Sequence, residues 1–237
     1  MSRIPTHTVE DAPAASRPLL QKIVQSTPMG RPANLHAQMA HSPAVLTAYS
    51  SLRAVLTEHN TFDPKVGAAL TLASAAGVGN GYMIRIASRL AQMNGWTEEQ
   101  VTALRTGTPT SDAKIDSLAG VVREAAANSG NVTDATWKAA QQTGWSDEQL
   151  ANAFAHLGAT VFTAYFLNYA QTDVDVRLHQ SVCGILGMLN EKFRQAGSSA
   201  CRNHAPLGHA RRSIAHNRRV SLATPPIVHF SASDPGA

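Results

Sequence analysis

Apolar residues recur at helical spacing along most of the chain, and no segment alternates persistently like a strand. The pattern predicts a short helix over 15–25, then a breaker cluster at Thr27-Pro28-Met29-Gly30-Arg31-Pro32. A second short helix is predicted over Asn34–Ala40. Ser42 and Pro43 read as N-cap and first helical position of a third, running to about His59. Its inward face is expected to carry Val45, Leu46, Tyr49, Leu52, Val55 and Leu56. Asp63-Pro64 repeats that start signal and leads into Ala68–Ser88, AALTLASAAGVGNGYMIRIAS. The alanine-rich half is apolar all round, so a buried helix is expected. It breaks at Gly77-Val78-Gly79-Asn80-Gly81, and a new helix begins with Tyr82, Ile86, Leu90 and Met93 along one face.

Next comes Gly95-Trp96-Thr97-Glu98-Glu99-Gln100-Val101, with capping-box spacing between Thr97 and Gln100. The device recurs at Gly144-Trp145-Ser146-Asp147-Glu148-Gln149-Leu150. Two copies of one unit, or two separate uses of a good cap, both fit this match. Between them, Lys114–Ser129 reads as a helix with Ile115, Leu118, Val122 and Ala125–Ala126 inward. Thr133 caps a short helix carrying Trp137. Leu150–Tyr169 reads as a long apolar helix with Phe154, Leu157, Val161, Tyr165 and Leu167. The body, residues 15–178, is therefore expected to be all-α, behind a flexible arm over 1–14.

Composition and charge alter this picture mainly at the C-terminal end. Eight basic residues lie from Arg177 onward, opposed by Glu191 and Asp234, so the net charge of +4 belongs to the tail while the body is mildly acidic. A helix extension is predicted over 182–193, then a basic, Gly/Ser/Pro-rich segment without periodicity, so 179–237 reads as a helix extension and disordered tail. A specific nucleic-acid partner does not follow from such a charge distribution. No unbroken apolar run reaches the ~18–20 residues of a membrane span, and no signal-peptide core opens the chain, which points to the cytoplasm. Cys183 and Cys201 match neither a CxxC pair nor a zinc ligand set and read as unpaired thiols.

The candidate chemistry lies at the glycine break. A helix that restarts there presents free backbone N–H groups and a positive dipole end. Asn80, Tyr82, Arg85 and Ser88 are candidate ligand-binding residues on this start, Asn80 equally being an ordinary N-cap. Arg85 and Arg89, one turn apart, suit an anionic substrate or a solvated face. Gly77, Gly79 and Gly81 lack the preceding strand and full spacing of a dinucleotide loop. His36, His41, His59 and His156 flank the stretch, but no pair has the spacing of a helical metal site. No metal and no cofactor is expected.

The order of these pieces resembles the carboxymuconolactone decarboxylase/AhpD-like family. The likeness runs from Asn34-Leu35 and Ala40–Leu46 through Phe62-Asp63-Pro64, the glycine break and both Gly-Trp caps. It ends at Phe166-Leu167-Asn168-Tyr169 with Thr172, Asp173 and Asp175. The resemblance implies an AhpD-like helical bundle and, by analogy, a homo-oligomer. Active thiol-peroxidase members carry a Glu, a Cys-x-x-Cys pair and a His one turn further on. One thiolate attacks the peroxide, the second cysteine resolves it, and the Glu and His move the proton.

Aligned on Tyr82, those four functions fall on Ala68, Asn80, Met83 and Ala87. Methionine can be oxidised but cannot form the disulfide that completes a turnover. The His-containing decarboxylase signature is also missing. The sequence thus implies a divergent member without the peroxidatic set, non-redox or ligand-binding and with no catalytic residue assigned. The alternative is a family enzyme, peroxidase-like or lyase-like, that uses a non-standard site.

Overall fold

The computed structural model describes residues 2–27 and 30–175. Among them are nine helices and no strand: α1 (Arg17–Gln25), α2 (Asn34–Met39), α3 (Pro43–Glu58), α4 (Pro64–Val78), α5 (Gly81–Met93), α6 (Glu98–Thr106), α7 (Ala113–Ala127), α8 (Asp134–Gln142) and α9 (Asp147–Ala170). The expected tail, its helix extension, Cys183 and Cys201 lie outside the described residues.

Polar residues at the boundaries explain why the helices start where they do. Ser42, Asp63, Asn80, Asp112, Thr133 and the Thr97/Gln100 and Ser146/Gln149 boxes each accept a backbone N–H of the first turn. Every such bond satisfies a donor that the helix cannot satisfy itself, worth roughly 1 kcal/mol. Gly79 and Gly107 stop α4 and α6 in the left-handed conformation that a side chain would resist.

α4 is the centre. Ten of its residues, Val66 through Ala75, are buried. It packs on α7, α5, α9 and α6. α4 and α7 run in the same direction: Asp63 and Val66 share a surface pocket with Asp112 and Ile115 at their starts, and Gly77 meets Arg123 and Ala126 at their ends. At the latter contact a Cβ on Gly77 would lie 2.5 Å from the Arg123 carbonyl and 2.7 Å from the Ala126 Cβ. Glycine is required there by the closeness of the two backbones.

The two Gly-Trp caps belong to a structural repeat. Trp96 Nε1 donates to the Lys65 carbonyl at 2.9 Å, and Trp145 Nε1 donates to the Lys114 carbonyl at 2.7 Å, each across 31 positions. Lys65 Nζ lies 4.7 Å from the Trp96 ring and Lys114 Nζ 4.6 Å from Trp145. Helix starts correspond at one constant offset: Pro64 with Ala113, and Glu98 with Asp147. Two uses of a cap would not reproduce the same long-range clamp, so the sequence match reflects a repeated helical unit.

Three sequence expectations change. The buried face of α5 is Tyr82, Met83, Ala87 and Ala91, with Ile86, Leu90 and Met93 only half-buried, because α4 and α9 contact it from one side. In α3 only Leu46 is buried and Val55 is 47% exposed. Val45, Tyr49, Leu52 and Leu56 are half-buried as expected, and so are the polar Ser50, Arg53 and Thr57. The arm is not loose. Arg3 N–H donates to the Ala170 carbonyl (2.8 Å), His7 N–H to the Ala37 carbonyl (3.1 Å), and Gln38 Nε2 to the Ile4 carbonyl (2.7 Å). Backbone anchoring of this kind leaves no trace in composition.

α9 is also long and apolar enough, at 24 residues with a mean hydropathy of 1.3 over its best window, to cross a membrane by length and composition alone. Half of that window is buried inside the protein against the other helices.

Gly77→Ala should destabilise the protein by about 1–3 kcal/mol, since neither the Arg123 carbonyl nor Ala126 is a flexible group that can yield. Urea unfolding of the variant beside Gly79→Ala checks this. Gly79, with open space around its missing Cβ, isolates the cost of the left-handed backbone.

Candidate functional site

The four positions where the resemblance expects Glu, Cys, Cys and His lie on α4 and at the start of α5, and all four are buried. Ala68, Asn80, Met83 and Ala87 are 2%, 5%, 6% and 0% exposed, and Ala68, Met83 and Ala87 belong to the continuous hydrophobic core. Asn80 is fully engaged. Its Oδ1 accepts the Met83 N–H at 2.8 Å, and its Nδ2 donates to Asn168 Oδ1 at 2.6 Å and to the Ala164 carbonyl at 3.4 Å. Asn80 thus caps α5 and ties it to α9, with no polar atom left over for a ligand.

The other candidates disperse. The Tyr82 hydroxyl donates to Asp175 at 3.0 Å, and burial together with the Asp175 carboxylate pushes its pKa up. Arg85 is exposed, and Arg89 donates to Gln92 on its own helix at 3.4 Å. Ser88 keeps a buried hydroxyl oxygen without a partner. His41 pairs with His7 (3.1 Å) and the Pro5 carbonyl (2.9 Å), away from the break.

Asp175 explains the ending of the chain's family-like stretch. The same carboxylate accepts from Tyr82, from Arg31 at 3.2 Å and from the Asn34 backbone N–H at 3.0 Å. Ala33, at the N-cap position of α2, supplies no side-chain cap, so Asp175 caps that helix from the far end of the chain. Thr172 donates to the Gln38 carboxamide, fixing the same corner.

A second polar cluster lies along the inner face of α3. His36 Nε2 is 3.1 Å from the Tyr49 hydroxyl, while His36 Nδ1 is buried with no partner. Burial first, then the Arg53 charge, lowers His36 to a pKa of about 4. His156 on α9 is also lowered to about 4, by burial and by Arg53. Its Nε2 is 3.1 Å from Asn60 Oδ1, and its ring rests on Gly67, where an added Cβ would meet it at 3.0 Å. Gly67 precedes Ala68, so His156 borders the filled positions.

Arg53 reaches both histidines electrostatically, and no hydrogen bond or ion pair engages its side chain among the described residues. Inward-facing arginines are ordinarily paired. The sequence flagged His36 and His156 but not Arg53 or Tyr49. No group of three or more potential metal ligands occurs among the described residues.

Both histidines are neutral in the folded state and regain ordinary basicity on unfolding. The unfolded chain therefore binds more protons between about pH 6.5 and 4, so stability is complete above 6.5 and declines as pH falls toward 4. The expected slope is about 1.4 kcal/mol per pH unit per histidine within that window. Urea midpoints measured from pH 7.5 to 5 should fall, and His156→Asn should roughly halve the slope.

No protein-family model matches the sequence, and no curated protein matches it significantly. Solved structures do. An alkylhydroperoxidase AhpD-core, uncharacterised peroxidase-related protein from Ralstonia eutropha JMP134 superimposes with a TM-score of 0.63 at 14% identity, covering 75% of this chain and 94% of that one. A peroxidase-related protein from Silicibacter sp. TM1040 gives 0.57 at 13%, covering 77% and 99%. The debrominase Bmp8 gives 0.59 at 11%, covering 76% and 95%; another structure of it holds 2,3,4-tribromopyrrole. At such identities the likeness is one of fold, and by fold this chain is an AhpD-like, all-helical protein.

Proposed function

We propose that this chain is a divergent AhpD-like protein without thiol redox chemistry, which binds a small anionic ligand beside α3. The observation that carries the first half is the packing of Ala68, Asn80, Met83 and Ala87. Nucleophile, resolving thiol and proton carriers are all replaced, and the space they would use is occupied by core. Neither cysteine of the chain falls before residue 183. The fold is retained while the chemistry that the fold often carries is not.

The second half rests on Arg53. A half-buried guanidinium with no ion-pair partner among the described residues supplies a positive charge and directed donors. Tyr49 and the free Nδ1 of His36 add polar contacts beside it. A carboxylate fits this set, because it would neutralise Arg53 and accept further donors. Bmp8 holds a small ring compound, which supports a compact ligand in a related bundle. An enzyme built on the neutral His36–Tyr49 pair is the second reading: a buried, unprotonated imidazole with one nitrogen free is suited to take up a proton.

Two measurements separate these readings. The full chain, given a hydroperoxide and a dithiol donor, should show no turnover above the uncatalysed rate. Turnover abolished by Cys183→Ser or Cys201→Ser would reject the non-redox assignment. Calorimetric titration with benzoate should give saturable binding that Arg53→Gln weakens at least tenfold and Arg85→Gln leaves unchanged. Equal loss in both variants would remove Arg53 from the site.

A further inference from the structure

The arm ahead of α1 is fastened to the end of α2 by a row of three side chains. His7 Nδ1 lies 3.0 Å from the Asp11 carboxylate, His7 Nε2 lies 3.1 Å from His41 Nδ1, and His41 Nε2 lies 2.9 Å from the Pro5 carbonyl. The two rings overlap, with centroids 3.9 Å apart and planes tilted by 41°. The backbone takes the same seat, His7 N–H donating to the Ala37 carbonyl at 3.1 Å. The Asp11 carboxylate is itself held by the Thr8 N–H at 2.7 Å.

Counting donors fixes the charge of this row. A carboxylate and a backbone carbonyl only accept, so His7 Nδ1 and His41 Nε2 must both carry hydrogen. A neutral imidazole has one N–H, and in both rings it is then committed outward. The bond between His7 Nε2 and His41 Nδ1 needs a further hydrogen. Two neutral rings cannot supply it. Two imidazolium rings would set N–H against N–H and bring like charges together. The row therefore closes with one imidazolium and one imidazole, and Asp11 balances the charge.

Among the described residues no hydrogen bond or ion pair brings another charged side chain to the pair. On the arm, Arg3 donates to the Tyr169 carbonyl and Glu10 turns to Thr8. At the start of α1, Arg17 donates to the Ala12 carbonyl, and after α9, Asp173 meets Ser2. α2 carries no Asp, Glu, Lys or Arg, and its own His36 meets Tyr49 on α3 instead. His7 is half-buried and His41 is exposed, so the row exchanges protons with solvent.

We propose that the arm is a proton-operated strap, closed over the end of α2 while the His7–His41 pair shares one extra proton and loosened when that proton leaves or a second arrives. Histidine is the side chain whose ordinary range makes such a change near neutral pH. Above that range an open arm holds two neutral rings, so closing takes up a proton and weakens as pH rises. Below it an open arm holds two imidazoliums, so closing expels a proton and weakens as pH falls. Each limb has a limiting slope of about tenfold per pH unit. The strap bears on Ala37 and Gln38, the neighbours of His36 on α2. This goes beyond the ligand reading and does not depend on it.

Amide hydrogen exchange on the full chain reads the strap through protection of the His7 N–H, corrected for the intrinsic rate at each pH. Protection should peak at about pH 6.5 and fall at least tenfold by about pH 8.5 and again toward about pH 5. The Leu70 amide, in the buried stretch of α4, should stay protected throughout, which separates strap opening from global unfolding. His41→Phe keeps a ring on an exposed site but no ring nitrogen, and should leave the His7 amide weakly protected at every pH. His41→Asn offers a permanent N–H in place of Nδ1, and should hold protection on the alkaline side. Ring nitrogen shifts at about pH 6.5 should show one positive charge over the two rings.

Uniform protection of the His7 amide across that range, two neutral rings at its centre, or a wild-type profile that survives in His41→Phe would overturn the proposal. So would an alkaline limb in His41→Asn as steep as that of the wild type.

Discussion

The close approach of α4 and α7 at Gly77 sets the rest of the architecture. Two helices whose backbones nearly touch share a direction, and everything else is arranged around that pair. α5 and α6 pack on α4, α8 packs on α7, and α9 packs on both members of the pair and on α5. Each repeated unit is locked by the same three-part clamp: an aspartate at the helix start, a tryptophan donating to a lysine carbonyl, and the lysine ammonium over the indole face. Each tryptophan buries a large apolar body and still satisfies its single N–H, which makes it an economical closing residue. Parallel dipoles side by side repel, and the two aspartate caps, Asp63 and Asp112, place negative charge where the paired helix starts are most positive.

That frame is consistent with the proposed reading of the residues between α4 and α5. A glutamate at position 68 or a histidine at 87 would be a buried polar group needing partners. Alanine at both positions removes the need, and Met83 fills volume with a flexible apolar chain. Asn80 retains the one role at the helix start that is independent of redox chemistry, satisfying backbone N–H groups. Buried polar atoms without partners lie elsewhere, at the Ser50 hydroxyl of α3 and the His36 Nδ1 of α2. Natural proteins depart from the rule that buried polar groups are paired mainly at working sites.

Local signals in the sequence were strong where they had local causes. Caps, glycine stops and helix lengths were readable because each depends on residues within one turn. What escaped notice depends on distant partners. The face that α5 buries is decided by α4 and α9, the inward turn of Arg53 by α2 and α9, and the pinning of the N-terminal arm by backbone groups of α2 and α9. The Gly-Trp match left duplication open because a seven-residue similarity has no third dimension. The lysine carbonyl that both tryptophans find is the piece that only coordinates could add.

Asp175 ties α2 to the segment that follows α9, and this bears on the order in which the protein can assemble. Asn34, at the start of α2, waits for a carboxylate 141 positions away, and Arg3 waits for Ala170. During synthesis α2 and the arm leave the ribosome well over a hundred residues before Ala170 and Asp175. The α4–α5–α6 unit has its clamp complete as soon as Trp96 is free. The Arg3 and Asn34 backbone donors therefore wait until α9 and Asp175 have been made, while the contacts of His7 and Ile4 with α2 are available early. Contacts of such long sequence separation are formed late and slowly.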